Sequence, residues 1–352
     1  MTKPTILYFY TTWSPFVDND TDSLKSKYNV KSFLFEPKRK INILYSLISQ
    51  LFFLLANVTG SKLIVVMFAG HHSLLPALVG KIFGKPCLII SGGTDCVSFP
   101  SINYGNFKGG LIKITTRASF KLASHISPVH KSLIEYDYTY DSSDFKKQGI
   151  KSFIPELKTP FTVINYGFDP DKWNYTRDKI PDSFITVASW LHIPNRAKIK
   201  GVDLILEVAK LFPECTFSII GWTIKKSNID ISKNIILYPL VSNEELKNIY
   251  ETHEFYLQPS LSEGFPNAIC EAMLCGCIPV GSNVGGLPDI IGDAGFILRK
   301  RSVSELEKVI KTAINSDKKI LSLNSRNRII ENYPKDLRKN QLINLADNLV
   351  RH

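Results

Sequence analysis

Short apolar runs alternate with longer segments of mixed polarity along the whole chain. In the N-terminal half the runs are apolar at nearly every position, which is typical of parallel strands that are buried on both faces. These predicted strands fall at 5–11, 30–36, 62–69, 86–93 and 161–167. Predicted helices lie between them, near 41–57, 73–83 and 109–124. Such an alternation favours a doubly wound α/β domain.

The C-terminal half repeats the alternation. Its predicted strands fall at 183–190, 215–222, 234–240, 254–260 and 277–283. Its predicted helices fall near 201–211, 243–252, 266–275 and 303–315, with a last periodic stretch at about 323–350. We therefore predict an N-terminal domain at 1–166, a polar linker at 167–183, a second domain at 184–335, and a helix at 336–352 that packs back across the domains. Ligands of such sheets bind at the carboxyl ends of the strands.

The composition is that of an ordinary globular protein, since 44% of the 352 residues are hydrophobic and 21% are charged. The N-terminus runs directly into a strand-like segment and shows no signal-peptide pattern, so we expect a cytoplasmic protein. The six cysteines are scattered and form no C-x-x-C pair, which favours reduced thiols over a metal site. No group of His, Asp or Glu has metal-ligand spacing, and we expect no metal cofactor.

The net charge of +11 lies mainly in the first half, because residues 1–183 hold 22 basic and 14 acidic side chains. This excess suits an anionic partner: lipid headgroups, a pyrophosphate or a nucleic acid. A nucleic acid is disfavoured because basic and aromatic residues do not interleave as they do in nucleic-acid motifs.

Two segments raise the question of a membrane surface. Lys38, Arg39 and Lys40 precede the apolar stretch 41–58, in which one helical stripe holds Ile41, Leu44, Tyr45, Ile48, Leu51, Phe52 and Leu55. That stripe fits either a helix packed on its sheet or an interfacial helix with a basic flank. A second stripe, Lys113, Arg117 and Lys121, fits either a solvated helix face or contact with anionic headgroups.

Residues 262–282, SEGFPNAICEAMLCGCIPVGS, place one glutamate before a predicted helix and another inside it. Glu263 and Glu271 could be a loop acid and a solvated helix acid. Alternatively, Gly264 permits close approach of a ligand, Pro266 suits a first helical turn, and the free N–H groups of 264–267 would receive phosphate oxygens. An acid, a phosphate cradle and a second acid match the sugar, diphosphate and ribose of a nucleotide sugar. Neither domain has the G-x-G-x-x-G turn of a nicotinamide or flavin dehydrogenase.

The longer segment 259–298, PSLSEGFPNAICEAMLCGCIPVGSNVGGLPDIIGDAGFIL, resembles the signature of the retaining glycosyltransferases of family 4. Two further segments are similar to the same family: INYGFDPDKW resembles its interdomain turn, and KGVDLILEVAKLFPECTFSIIGW resembles its Lys-Gly helix and the strand after it. The resemblance implies an α/β chain of GT-B fold, with two doubly wound Rossmann-like domains facing a central cleft. It extends over about residues 5–345 and is most specific at 185–298.

The resemblance also implies roles for residues of the second domain. It places Glu271 on the ribose, Lys200 on the diphosphate and Glu263 on the sugar hydroxyls of the donor, with Lys200 and Glu263 as the catalytic pair. The donor site would be completed by Gly264, Phe265, Pro266 and Asn267. Many relatives carry a Gly-Arg pair where this chain has Ser189 and Trp190. Arg196 is a candidate replacement for the missing guanidinium, or simply a solvated loop arginine.

Candidates on the acceptor side are fewer, because the family's motifs are altered there. Gly92–Asp95 reads GGTD where many relatives have His-Gly-x-Asp, so Asp95 is retained and no catalytic histidine is. TWSPFVDND replaces a glycine-rich turn, leaving Ser14, Phe16 and Asp20 as candidates. His71 and His72 follow a buried strand, where they fit either helix capping and packing or acceptor binding.

We therefore predict a retaining, metal-independent glycosyltransferase that moves a sugar from a nucleoside-diphosphate sugar to a saccharide or lipid-linked saccharide, in cell-surface polysaccharide or glycolipid synthesis. It would act in the cytoplasm, with possible peripheral contact to an anionic membrane. Two alternatives stay open at this level. One is a GT-B-like epimerase, hydrolase or phosphorylase of sugar nucleotides, and the other is a non-catalytic protein that binds them.

Overall fold

The computed structural model describes residues 3–36, 42–188, 191, 195–222 and 231–351. The chain divides into two compact units. The first comprises the described residues of 1–136, 147–167 and 335–352, and the second comprises those of 137–146 and 168–334. The predicted basic flank Lys38–Lys40, together with Ile41, Ser189 and Trp190, lies outside the described residues.

The first unit is built on a parallel sheet of five strands within the described residues, in the order β2-β1-β3-β4-β5. The strands are β1 (Thr5–Tyr10), β2 (Asn29–Leu34), β3 (Ser61–Met67), β4 (Cys87–Ser91) and β5 (His125–Pro128). Its helices are α1 (Pro15–Lys25), α2 (Asn42–Asn57), α3 (His71–Ile82), α4 (Gly110–Leu122) and α5 (Ile150–Phe153). Two short strands, β6 (Tyr136–Asp137) and β7 (Lys147–Gln148), follow β5 along the chain.

Two local predictions for this unit were wrong, and one helix was missed. The strand predicted at 30–36 as buried is β2, an edge strand whose side chains are mostly exposed. The segment 161–167 forms no strand and contributes one isolated bridge, from Phe161 to Ile126. The stretch TWSPFVDND, for which no helix or strand was predicted, opens α1, where Ser14 takes the N-cap position and Pro15 supplies a preset φ angle in the first turn.

The second unit has a parallel sheet of six strands among the described residues, in the order β10-β9-β8-β11-β12-β13. The strands are β8 (Ile180–Val187), β9 (Thr216–Ile220), β10 (Ile235–Tyr238), β11 (His253–Gln258), β12 (Ile278–Ser282) and β13 (Phe296–Leu298). The helices are α6 (Arg196–Lys200), α7 (Val202–Ala209), α8 (Asn243–Thr252), α9 (Asn267–Leu274), α10 (Leu287–Ile291), α11 (Val303–Ile314) and α12 (Lys318–Asn332). Phe184 stacks between Phe217 and Phe255 at the centre of the sheet, with ring centroids 5.0 and 4.8 Å away.

The single helix predicted at 323–350 is two helices, α12 and α13 (Lys335–Arg351). Pro334 lies between them, and proline can neither donate a backbone hydrogen bond nor continue a helix without a clash. Residues 335–351 belong to the first unit. There Arg338 of α13 donates to both carboxylate oxygens of Asp20 of α1, each at 2.7 Å. This buried ion pair connects α13 to α1.

Candidate functional site

The loop between β11 and α9 of the second unit lies against the turn between α6 and α7. Gly201 adopts φ +71°, and a Cβ at this position would lie 2.2 Å from the carbonyl oxygen of Pro259. The backbone can approach this closely only because glycine has no side chain. The amide of Leu261 donates to the carbonyl of Ile199 at 2.8 Å and fixes the contact. The Lys-Gly sequence thereby brings Lys200 to the start of the loop.

Lys200 and Glu263 form a largely buried ion pair. The Lys200 ammonium donates to Oε1 of Glu263 at 2.6 Å, and the two side chains are 20% and 9% exposed. Gln258, the last residue of β11, donates to the same oxygen at 2.8 Å. Burial acts to raise the pKa of Glu263, but the Lys200 charge and these hydrogen bonds outweigh it and hold the pKa below its usual value. Glu263 is therefore an ionised acceptor at neutral pH.

The N-terminus of α9 presents unused backbone donors next to this pair. Pro266 occupies the N-cap position in an extended conformation, so the helix begins at Asn267 rather than at 266. Within the part of the chain that the structure describes, the amides of Gly264, Asn267 and Ala268 donate no hydrogen bond. The positive end of the helix dipole lies at the same place. An anion bound here would find both hydrogen-bond donors and a favourable field.

Three further side chains of the predicted site have unsatisfied polar groups. Oδ1 of Asn267 and Nε of Arg196 are buried without a hydrogen-bond partner. Glu271 is half-buried and forms no hydrogen bond or ion pair among the described side chains, and the partial desolvation of its carboxyl raises its pKa to about 7, opposed in part by the charge of Lys172. Asn267 and Glu271 are four residues apart and so lie on one face of α9. Buried polar groups without partners are uncommon in folded proteins, and here they belong to residues predicted to bind a ligand.

The turn at Gly285 and Gly286, after β12, lies against the backbone of the loop between β11 and α9. Gly285 adopts φ +55°, and a Cβ there would lie 1.7 Å from the carbonyl oxygen of Glu263. The amide of Gly286 donates to the carbonyl of Gly264 at 3.0 Å. The turn therefore sets the backbone position of Glu263 and Gly264.

Phe265 was predicted to bind the donor, but its ring packs against other aromatic rings of the second unit. The side chain is 4% exposed. It stacks on Phe168, with ring centroids 6.2 Å apart, and meets the edge of Tyr333 at 5.0 Å. The ring packs in the core of the second unit and thereby anchors the loop between β11 and α9.

In the first unit, three acceptor-side candidates line a cavity of mixed polar and apolar lining, about 590 Å³ in volume, at the carboxyl ends of β3 and β4: His71, His72 and Asp95. His71 is the first residue of α3, its Nδ1 lies 3.1 Å from Oγ1 of Thr115, and partial burial lowers its pKa. Asp95 accepts the amides of Ala69, Gly92 and Gly93 at 3.0 to 3.2 Å. Burial still raises the pKa of Asp95, against those hydrogen bonds. Its carboxylate therefore shapes the cavity wall by holding two strand ends together.

Most of the other acceptor-side candidates use their side chains in contacts within the first unit. Asp20 is 1% exposed and both of its oxygens bind Arg338, so its assignment to the acceptor site was wrong. His72 is buried with Nε2 2.9 Å from the carbonyl of Met67, and burial lowers its pKa to about 4. Phe16 packs on Phe68 and Tyr166. Ser14 takes the N-cap position of α1 through its backbone, and its buried Oγ has no hydrogen-bond partner in the described part of the chain. Of the predicted acceptor-side set, His71 and Ser14 therefore retain side-chain groups suited to meeting a ligand.

Two features of these sites were missed. Gln258 follows the apolar run 255–257 at the end of β11, just before the loop, and this polar residue was a recognisable signal in the sequence. Phe68 borders the cavity of the first unit and has φ +65°, which is a strained conformation for a bulky residue. Nothing in the local sequence indicates this conformation. Within the described ranges, no group of three or more His, Cys, Asp or Glu side chains is placed to hold a metal ion.

Comparison with known proteins finds a family match for the part of the chain that holds this site. Residues 189–336 match the sequence profile of the glycosyl transferases group 1 family. A phosphatidylinositol N-acetylglucosaminyltransferase subunit from Arabidopsis thaliana is 27% identical over 127 residues, which are 33% of this chain and 28% of that protein. The serotype-specific mannosyltransferase WbdA of Escherichia coli is 22% identical over 217 residues, 57% of this chain and 26% of that protein. The matched stretches thus span about a quarter of the length of these curated relatives.

Among solved structures, the Anabaena protein HepE in complex with UDP and glucose superimposes with a TM-score of 0.72 at 13% identity, over 98% of this chain and all of HepE. This likeness confirms the predicted fold class. The chain therefore has the GT-B fold, and its residues 189–336 carry the sequence of the glycosyl transferases group 1 family.

Proposed function

We propose that the chain is a retaining glycosyltransferase that takes a sugar from a nucleoside-diphosphate donor and adds it to a saccharide or lipid-linked saccharide. The observation that carries the proposal is the arrangement around α9. A buried Lys200–Glu263 pair, unused amides at a helix N-terminus and an unpartnered Glu271 lie in the segment that matches the family.

Each part of the donor has a matching group in this arrangement. The diphosphate accepts hydrogen bonds from the unused amides at the start of α9 and from the Lys200 ammonium, which has two protons beyond the one given to Glu263. Arg196 adds a guanidinium whose Nε has no partner in the structure. Glu271 accepts from the ribose hydroxyls, and Glu263, kept ionised by Lys200, accepts from the sugar hydroxyls.

The transfer needs no side chain as nucleophile. The acceptor oxygen forms a bond to the anomeric carbon on the face from which the diphosphate leaves, while the bond from that carbon to the phosphate oxygen breaks. The departing diphosphate oxygen takes the acceptor's proton. Lys200 and the α9 amides stabilise the charge that develops on this oxygen, which supports a reaction that needs no metal ion.

The acceptor is placed in the cavity of the first unit, beside His71. An apolar groove lined by residues of α2, α3 and α4 shares His71 with that cavity. A cavity that holds polar groups and joins an apolar groove suits an amphiphilic acceptor, which favours a lipid-linked saccharide and a role in glycolipid or polysaccharide synthesis. The relatives named as mannosyl- and N-acetylglucosaminyltransferases support this class of product. All six cysteines are free and buried, which fits a cytoplasmic enzyme.

The proposal is tested by thermal unfolding with a panel of UDP-, GDP- and ADP-sugars. At a hundredfold excess over its dissociation constant the correct donor should add on the order of 3 kcal/mol of stability. Glu271→Ala should abolish that gain, whereas Glu244→Ala, which removes an exposed acid of α8, should retain it. With the donor known, transfer should continue in the presence of a chelator, and NMR of the product should show the donor's anomeric configuration. A donor that is turned over equally fast without any acceptor would contradict the proposal.

A further inference from the structure

Helix α2 of the first unit turns its most apolar stripe outward. The exposed side chains are Leu44, Tyr45, Ile48, Leu51, Phe52 and Leu55. Tyr45 is 75% exposed and Phe52 70%. The buried positions of the helix are Gln50 and Leu54. The interpretation of this stripe as the face that packs on the sheet was therefore wrong.

The outward orientation is fixed by contacts on the opposite side of the helix. Nε2 of Gln50 donates to the carbonyl of His72 at 2.8 Å, and Leu54 is fully buried. Phe53 packs against the rings of Phe9 and Phe33, at 5.8 and 5.2 Å between centroids. Turning the stripe inward would break these contacts, so its exposure belongs to the fold of this unit.

The exposed stripe continues onto the neighbouring helices. A groove of about 330 Å³ runs between α2, α3 and α4, and its lining is apolar apart from His71 and Thr115. Ile48 and Leu51 of α2 and Leu111 of α4 both line the groove and face solvent, and Ile114 follows one turn later at 64% exposure. We call the six exposed residues of α2, with Leu111 and Ile114, the apolar face. Contiguous exposed apolar surface of this extent marks a site of interaction.

The three helices that border the apolar face carry basic residues and no acidic ones. Helices α2, α3 and α4 contain no Asp or Glu, and they carry Lys81, Lys113, Arg117 and Lys121. Arg117 and Lys121 bind Glu156, which accounts for two of the three residues of the predicted basic stripe. Lys113 is exposed between Leu111 and Ile114, and it forms no ion pair with any described residue.

We propose that the apolar face rests on an anionic lipid bilayer, with α2 lying in the plane of the interface. Aromatic and leucine side chains of such a helix enter the boundary between headgroups and acyl chains, while basic residues remain among the anionic headgroups. No helix of the described residues is both long and apolar enough to cross a bilayer. A second copy of the chain fits the face less well, because a twofold contact would bring the Lys113 ammonium groups of both copies onto one apolar contact surface.

The test is flotation of the full-length chain with vesicles of phosphatidylcholine alone or mixed with phosphatidylglycerol. We expect binding to the mixed vesicles that weakens in high salt, and little binding to phosphatidylcholine alone. The double variant Tyr45→Ser/Phe52→Ser should lose at least about tenfold in binding, since two large apolar side chains no longer leave water. Lys113→Gln should reduce binding roughly fivefold. The matched control is Ile320→Ser/Leu323→Ser on α12, two exposed apolar residues of the second unit, and should bind as the parent does.

Circular dichroism and stabilisation by the donor should be the same for all of these variants, because none touches the donor site. Failure of the donor proposal would therefore leave this test intact. The proposal is overturned if the Tyr45/Phe52 variant floats as well as the parent. It is equally overturned if the parent does not float and sedimentation shows a dimer that this variant abolishes, because the face would then bind a second copy. Binding to phosphatidylcholine as strong as to the anionic mixture would refute the role of charge.

Discussion

The ammonium of Lys200 lies 2.6 Å from Oε1 of Glu263, although the two residues are 63 positions apart in sequence. The contact depends on the bare backbone of Gly201, which lets the Lys-Gly turn approach Pro259. The contact matters for both residues. Lys200 neutralises a buried carboxylate while keeping donors for a phosphate, and Glu263 stays ionised where a sugar hydroxyl would need an acceptor.

Removing the lysine should therefore impair both stability and activity. Lys200→Met leaves Glu263 largely buried without its counter-ion, which should cost about 1–3 kcal/mol in the free energy of unfolding. Loss of a charged donor to the leaving group should lower kcat/KM at least about a hundredfold. Lys198→Met, two positions earlier on α6, should change stability by no more than about 0.5 kcal/mol. Urea unfolding and initial rates measure both effects. If Lys200→Met unfolds at the same urea concentration as the parent, the pair is not a stabilising contact.

Donor binding should depend on pH through Glu271. Its pKa is raised to about 7 by partial desolvation, and its carboxylate must be ionised to accept from two ribose hydroxyls. Affinity for a nucleotide sugar should then fall by up to about tenfold for each pH unit below 7. Calorimetric titrations at several pH values measure this, and Glu271→Gln should bind weakly with a flat profile. An equally steep profile in Glu271→Gln would assign the titration to another group.

Glu271 should also make the stability of the unliganded protein depend on pH, but here the stability falls as the pH rises. A folded-state pKa above the ordinary value of 4.5 means that the folded chain holds the proton more tightly than the unfolded chain does. This contribution, on the order of 3 kcal/mol, is fully present below about pH 4.5 and is lost as the pH rises through 7. Comparing the parent with Glu271→Gln at pH 5 and pH 8 isolates it. The difference in unfolding free energy between the two proteins should change over that range and not beyond pH 8.

The buried pair between Asp20 and Arg338 should matter for folding alone. Arg338 also donates to the carbonyls of Ile164 and Asn165 and lies over the ring of Tyr166, 4.5 Å from its centroid. Asp20→Ala leaves an unpaired buried guanidinium and should cost about 3–5 kcal/mol. Asp20→Leu combined with Arg338→Met should recover most of that loss, because no buried charge remains. The KM for acceptor of the folded fraction should be unchanged. A raised KM would return Asp20 to the acceptor site.

The outcome for Asp20 shows what a local reading of the sequence misses. Asp20 was a candidate because its stretch stands where relatives of the family have a glycine-rich turn, but its partner Arg338 lies 318 residues away. The strand and helix alternation was largely recovered because hydrophobic periodicity is a local property. The helix start between Glu263 and Glu271 was predicted to within one residue because Gly and Pro before a helix leave a recognisable pattern, whereas the binding roles of the two acids stay predictions.

The stripe on α2 illustrates a second limit. Spacing alone identified Leu44, Tyr45, Ile48, Leu51, Phe52 and Leu55 as one face of a helix, and the structure confirms that they share a face. Whether such a face points to the core or to solvent depends on what the rest of the unit packs against it. Here a buried glutamine and a phenylalanine cluster decide the orientation, and neither stands out in the sequence.

Gly285 should be essential for activity because the absence of a Cβ lets the Gly-Gly turn approach the backbone of Glu263 this closely. Any Cβ at this position overlaps the carbonyl oxygen of Glu263, so Gly285→Ala must displace the loop that carries the ion pair. The matched control is Gly84→Ala at the end of α3, which has a similar φ of +62° but open space around the added methyl. Both variants should lose about 1 kcal/mol for a non-glycine residue at positive φ. Only Gly285→Ala should also lose donor-induced stabilisation and transfer activity. Equal activity in the two variants would mean that the loop tolerates the displacement and that the position of Glu263 is not critical.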